Sequence, residues 1–156
     1  METGSLLDKF DTLVPLASGW AAEQEKQSLR EGVPLSAAQL EDARQAGVKD
    51  PGKVRLLQVE NIPSPSHPIL QAACQATNFV PAEPRGLTIQ YGVFVRSDCW
   101  SDRPLIVHEL VHTAQYERLG GIEPFLRRYL FECATMGYSS ATMEKEAINT
   151  AARVCG

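Results

Sequence analysis

Ile106-Val107-His108-Glu109-Leu110-Val111-His112-Thr113-Ala114-Gln115 carries the strongest signal in the chain. It contains His-Glu-x-x-His, two histidines four residues apart with a glutamate beside the first. On a helix, residues four apart share a face and lie about 6 Å apart along the axis, so both imidazoles can reach one ion. Glu109 falls about 100° round from His108, where it can touch a metal-bound water without being a ligand. Two nitrogen ligands, a third ligand from elsewhere and a carboxylate base are the parts of a hydrolytic zinc site. The chain has three histidines, and two of them stand in this motif. The apolar flanks, Leu105 to Val107 and Leu110 to Val111, predict a buried helix, where a histidine pair needs polar partners. The plain alternative is a core helix whose histidines are satisfied by backbone carbonyls or a carboxylate.

Asp102 or Ser101 can cap this helix, Pro104 suits its first turn, and Gly120-Gly121 ends it near Leu119. Pro124 opens a further helix with Phe125, Leu126, Tyr129, Leu130 and Cys133, closed by Gly137. A last helix runs from about Ala141 to Val154. It offers two carboxylates, and helical phase separates them. With Met143 at 0°, Ala147, Ala151 and Val154 fall between about 20° and 80°, and Cys155 and Ile148 at about 120° and 140°. Glu144, at about 100°, lies inside that apolar stripe, while Glu146, at about 300°, shares the polar face with Asn149 and Arg153. A carboxylate in an apolar stripe is costly unless it is paired or binds metal. Glu144 is therefore the third-ligand candidate and Glu146 its backup. The alternatives for Glu144 are a salt bridge to Arg127 or Arg128, or a helix-start carboxylate favoured by the dipole.

Upstream of the motif, Gly86 to Arg96 reads as one strand, with Leu87, Ile89, Tyr91, Val93 and Val95 on one face and Thr88, Gln90, Gly92, Phe94 and Arg96 on the other. Such a strand could edge a cleft and pair with an extended peptide; the alternative is a plain hairpin or edge strand. Val54 to Val59 reads as another strand and Pro68 to Thr77 as a short helix with Ile69, Leu70, Ala73 and Cys74 on its apolar side. His67, in the proline-rich connection, reads as a surface residue. In the first 50 residues, a short helix from Leu6 is expected to stop at Pro15. A second, capped by Ser18, should run to the Gly32-Val33-Pro34 break. A third should start at Ser36, with Leu40, Ala43 and Ala46 on one face, and end at Gly47. These helices carry no visible chemistry and read as scaffold.

The 156 residues suffice for one domain, with residues 1–50 its helical N-terminal part and 51–156 its metal-binding core. Hydrophobic residues at 44% and charged residues at 22% are ordinary for a soluble globular protein. A net charge of −4 predicts no general attraction to nucleic acid or anionic membrane. No basic leader precedes an apolar run and no apolar segment approaches membrane-span length, so a cytoplasmic location is expected. Cys74, Cys99, Cys133 and Cys155 form no Cys-x-x-Cys, which argues against a cysteine zinc knuckle. Cys99, upstream of His108, reads as an inert thiol rather than one that approaches the metal.

His108-Glu-Leu-Val-His112, followed on a later helix by Glu144-Lys-Glu-Ala147, resembles the gluzincin, or thermolysin-like, branch of the zincin metallopeptidases. The wording from Gly86 onward is also similar to small bacterial proteins of zincin type. The resemblance implies an α+β, zincin-like domain, with a small sheet packed on the motif helix and on the ligand-bearing helix that follows. Carried over residue by residue, it implies His108, His112 and Glu144 as ligands of Zn2+ and Glu109 as the general base for hydrolysis of a peptide or protein substrate. The oxyanion donor is expected at Tyr138, with Tyr116 second. One departure stands out: the aspartate that usually follows the third ligand by four is Ile148 here, so a bond to a ligand histidine is missing. The metzincin pattern fails, since it needs Gly and His where this chain has Gln115 and Arg118. Two histidines and a carboxylate also serve iron oxygenases, but the spacing fits zinc better. The rival to an enzyme is a non-catalytic zincin-fold module that binds metal or a partner. The short chain, with little length for a second cleft wall, favours that rival; Glu109, needless in a structural site, opposes it.

Overall fold

Phe10, Leu13, Val14 and Ala21 recur at helical spacing on both sides of Pro15, and all four are buried. They carry a single helix, α1 (Glu2–Glu31), straight through the proline. Proline inside a helix costs about 3 kcal/mol through the lost hydrogen bond and its clash with the preceding turn. Each buried aliphatic or aromatic side chain returns about 1.5–3 kcal/mol, so the stripe outweighs the break. The expected stop at Pro15 and cap at Ser18 are thus corrected: Pro15 lies on the exposed side and Ser18 sits in mid-helix. The structure, a computed structural model, describes the backbone of residues 2–77 and 83–156 and the side chains of 9–72 and 83–156. The apolar side expected for Ala73 and Cys74 lies outside the described side chains.

The fold is α+β, 67% helical, with one small mixed sheet. After α1 come β1 (Val33–Pro34), α2 (Ala37–Gln45), β2 (Arg55–Val59), α3 (Pro68–Thr77), β3 (Gly86–Ile89), β4 (Gly92–Arg96), α4 (Arg103–Leu119), α5 (Ile122–Met136) and α6 (Thr142–Cys155). Strand order is β1-β2-β4-β3, with β2 and β4 parallel and the outer pairs antiparallel, so β3 is an edge strand. The Val33-Pro34 break is therefore a short strand, placed at the other sheet edge, where proline is tolerated. Helix α2 starts as expected, with Ser36 and Gln39 forming a reciprocal capping box, and Gly47 (φ 98°) follows its end. His67 is exposed, its Nδ1 accepting the Ile69 N–H at 3.2 Å at the start of α3.

The single strand expected over 86–96 is a hairpin. The turn at Gln90-Tyr91 (Gln90 φ 57°) reverses the chain and inverts the pattern of faces. Leu87 and Ile89 pack with Trp20 and Ala21 of α1, whereas Val93 and Val95 pack with Val107, Leu110 and Val111 of α4. Helices thus cover both faces of the sheet, and β4 is buried on both sides. A Cβ at Gly92 would lie 1.8 Å from Ser28 Oγ, so α1 crosses the sheet at a separation only glycine permits. On the other face the core joins Val54, Leu56, Val93 and Val95 to α4 and to Ala147 and Ala151 of α6.

Two side chains of the motif helix, Arg103 and Glu117, tie the first 50 residues to it. Arg103 grips Asp42 with two bonds of 2.9 Å. Glu117 accepts the N–H groups of Lys49 (2.8 Å) and Asp50 (3.1 Å) and the Tyr91 hydroxyl (2.8 Å). Among the described residues no helix is long and apolar enough to cross a membrane.

Candidate metal centre

Helix α4 begins where Asp102 Oδ1 accepts the Leu105 N–H at 3.1 Å and ends at Gly120 in the left-handed region (φ 100°). Between these caps one turn of helix sets the His108 and His112 rings 5.1 Å apart, edge to face. Their Nε2 atoms converge on one carboxylate: His108 lies 3.1 Å from Glu144 Oε1 and His112 3.0 Å from Glu144 Oε2. One donor atom from each of the three residues falls within 4.8 Å of the others, a group that could hold a metal ion. Two imidazole nitrogens and a carboxylate oxygen are the donor set of catalytic zinc sites, so the residues fit that ion.

Glu144 reaches this point because the start of α6 is fixed from outside. Ala141, at the helix start, has no capping side chain. Glu132 of α5 supplies the acceptor instead, taking the Met143 N–H at 2.9 Å while Arg128 holds its other oxygen at 3.1 Å. One turn earlier on the same face of α5, the Tyr129 hydroxyl donates to Glu144 Oε2. Phe125 completes this wall, stacked between Tyr116 (3.6 Å) and Tyr129 (5.4 Å). The sequence reading missed Tyr129 and Glu132; their spacing from Phe125 on one helical face was the available signal.

Charge inside the site is balanced by these contacts. Burial alone would raise the Glu144 carboxyl, but hydrogen bonds from His108 and His112 and the His112 charge outweigh it and hold the group well below the usual carboxylate range. Burial alone would lower His112, but the Glu144 bond and charge reverse this and push the imidazole up to about 9. Burial, and then the Glu144 charge, raise both Tyr129 and Tyr138, so each phenol keeps its proton at neutral pH.

Glu109 is buried on the flank of the pair, and β3 holds it. Thr88 Oγ1 lies 2.8 Å from Glu109 Oε1 and 3.0 Å from the Glu109 carbonyl, both acceptors for its one hydroxyl hydrogen. A Cβ at Gly86 would stand 3.1 Å from Glu109 Cγ, so glycine leaves the carboxylate its room. Thr88 and Gly86 were not singled out; the polar face assigned to Thr88 was the signal. The Arg96 N–H donates to the Arg85 carbonyl at 2.9 Å, so Arg85, Leu87 and Ile89 form the hydrogen-bonded pairs of the hairpin. The peptide groups of Gly86 therefore point to the outer edge of β3, where the Thr88 carbonyl already accepts the Tyr116 hydroxyl.

A cleft of about 1550 Å³ opens along this edge. His108, Glu109, His112, Tyr129, Tyr138 and Glu144 line one side, and Phe10, Leu13 and Trp20 of α1 with Leu70 of α3 line another. The expected shortage of a second wall is corrected, because α1, read as scaffold, supplies it.

The other candidates sort as follows. Tyr138 lines the cleft and interacts with Glu144. Tyr116, the second oxyanion candidate, lies buried with its hydroxyl donating to the Thr88 carbonyl at 3.1 Å. Glu146 points outward and accepts from Gln115 (2.6 Å) and Arg118 (2.7 Å), which removes it as a ligand. Arg127 pairs with Asp11 and Glu123, and Arg128 with Glu132, so neither is the partner of Glu144. Cys99 is buried against Asp98 and Arg96, apart from the cluster. Ile148 is 52% exposed and Asn149 is exposed, so neither supplies the missing bond to a ligand histidine. That bond is made by a residue not singled out for it: Gln115 Oε1 lies 2.8 Å from His112 Nδ1. Comparison with protein-family models, curated proteins and solved structures finds no match for this chain.

Proposed function

We propose that the chain is a zinc-dependent metallopeptidase with a zincin-like fold of gluzincin type. The observation that carries this reading is the convergence of His108, His112 and Glu144 donors within 4.8 Å, beside a buried Glu109. His108 and His112 offer Nε2 and Glu144 offers a carboxylate oxygen to Zn2+. When bound, the ion polarises a substrate carbonyl and lowers the pKa of a coordinated water towards neutrality. Glu109 takes a proton from the attacking water at its carboxylate and delivers it to the leaving amine. Thr88 keeps that carboxylate aimed. Tyr138, protonated at neutral pH, donates to the oxyanion. The outward peptide groups of Gly86 bind an extended peptide by strand addition, which brings its carbonyl into the cleft.

Glu109→Gln tests the reading on zinc-loaded protein with a panel of quenched fluorescent peptides. Hydrolysis is expected to fall about 10²–10⁴-fold with zinc content unchanged. Full hydrolysis by the variant would remove Glu109 as base. Zinc-loaded wild type that cleaves no peptide in the panel would leave a non-catalytic module that binds metal or a partner.

A further inference from the structure

We infer that Gln115 is a positioning residue of the metal centre, which locks His112 in the tautomer that presents the Nε2 lone pair to the ion. The inference rests on the metal-binding reading above and adds the residue that orients one of its ligands. Gln115 follows His112 by three on α4, on the same face and one turn along, and is 1% exposed, so water does not compete for its amide. The direction of that amide is fixed by its other neighbours. Gln115 Nε2 lies 3.0 Å from the Met143 carbonyl oxygen and 2.6 Å from Glu146 Oε1. At neutral pH both are acceptors without a hydrogen to give, so the amide nitrogen faces them and Oε1 faces His112. A carbonyl oxygen 2.8 Å from His112 Nδ1 can only accept, which keeps a hydrogen on Nδ1 and leaves Nε2, the nitrogen that meets Glu144, as the donor atom for the ion.

Glu146 Oε1 also accepts from Arg118 at 2.7 Å, so the amide is anchored in an ion pair on the outer face of α6. The carboxylate that sequence reasoning kept as a spare ligand thus acts on His112 through two successive hydrogen bonds, by way of Gln115. This arrangement supplies from the motif helix what the chain lacks at Ile148 on α6. Outer partners of ligand histidines fix ring orientation and basicity, and their loss weakens metal binding by about 10–100-fold.

The test uses the full chain, zinc competition against a chromophoric chelator, and long-range proton–nitrogen spectra of the histidine rings. Gln115→Met keeps the bulk and removes the acceptor; zinc binding is expected to weaken about 10–100-fold. Gln115→Glu combined with Glu146→Gln keeps an acceptor on His112 Nδ1 but loses the bond to the Met143 carbonyl, and should bind zinc more tightly than Gln115→Met. In zinc-loaded wild type the His112 Nδ1–H is expected to exchange slowly, unlike the ring N–H of exposed His67. Tight zinc binding by wild type with unchanged affinity in Gln115→Met overturns the inference alone. So does equal weakening in Gln115→Met and the double variant, which would mark a merely structural role. An Nδ1-coordinated or freely exchanging His112 ring overturns it from wild type alone, whatever the folding of the variants. Wild type that takes up no zinc sinks the metal reading, and the inference with it.

Discussion

On α6 the carboxylates of Glu144 and Glu146 stand two residues apart in opposite surroundings. The Glu144 side chain is 2% exposed and is met by two imidazoles and a phenol, whereas the Glu146 side chain is 40% exposed and faces a guanidinium and an amide. The difference is one of phase: about 200° of helix separates a position facing α4 and α5 from one facing solvent. The inner carboxylate is almost wholly shut off from water, so its charge persists because protein groups donate to it, the two imidazoles proposed as ligands and the Tyr129 phenol. The outer one would be charged in any setting. Removing each in turn should break this contrast if it is wrong. Glu144→Ala is expected to abolish stoichiometric zinc binding and to cost the metal-free protein about 3–5 kcal/mol, because two ring nitrogens lose their buried partner. Glu146→Ala should keep about one zinc per chain, with any loss confined to affinity. Elemental analysis after dialysis, beside urea denaturation of chelator-treated protein, reads both. Zinc retained in the first variant and lost in the second would exchange the two assignments.

The same contrast sets different pH responses. In chelator-treated protein the His112 pKa is raised above its ordinary 6.5 to about 9 by Glu144. A raised pKa means the folded state holds its proton more tightly than the unfolded chain. The stabilisation is therefore complete below about 6.5 and lost as pH rises through about 9. Glu144, held below its ordinary range, keeps its share above about 4.5 and loses it as pH falls further. The outer pair has no such window near neutrality: burial would raise the Glu146 carboxyl, but the bonds from Gln115 and Arg118 outweigh it and hold the group below its ordinary range. The Tm of the metal-free protein should thus drop by roughly 5 °C or more between pH 6 and 9.5. In Glu144→Gln that drop should shrink, which separates it from cysteine ionisation. A flat Tm in wild type over this range would mean that the inner pair carries no ionic stabilisation.

What the sequence made legible divides along similar lines. The two histidines, Glu109, the caps of α4 and the inward phase of Glu144 are all local or periodic, and all stand where they were expected. What stayed hidden depends on how elements dock. Thr88 became the holder of Glu109 only because β3 passes beside α4, and Tyr129 reached Glu144 only because α5 folds back on α4. Gln115 lies inside the stretch that identified the site, yet it served only to exclude the metzincin pattern, because a lone glutamine has no spacing to announce a partner. The hairpin stood as the alternative, but its turn was hidden by chemistry: apolar residues alternate unbroken across Gln90-Tyr91, and β4 is buried on both faces, so either parity fits. Pro15 misled in the other direction, since a local break was overruled by a stripe that packs α1 across the sheet.

The smallest expected effect belongs to the outermost member of the network. Arg118 and Glu146 meet at 2.7 Å with side chains 52% and 40% exposed. An exposed pair gains little over hydration and is worth about 0–1 kcal/mol. Arg118→Ala should therefore lower stability within that range, and the difference from wild type should vanish in about 1 M salt, where screening acts within about 3 Å. Glu146 keeps its bond from Gln115 in this variant, so zinc affinity should move less than in Gln115→Met. Urea denaturation at low and high salt, with chelator competition at each, makes the comparison. A loss above about 2 kcal/mol that persists in high salt would place Arg118 with the inner face in energetic terms, and the division of α6 into a metal side and a solvent side would no longer hold.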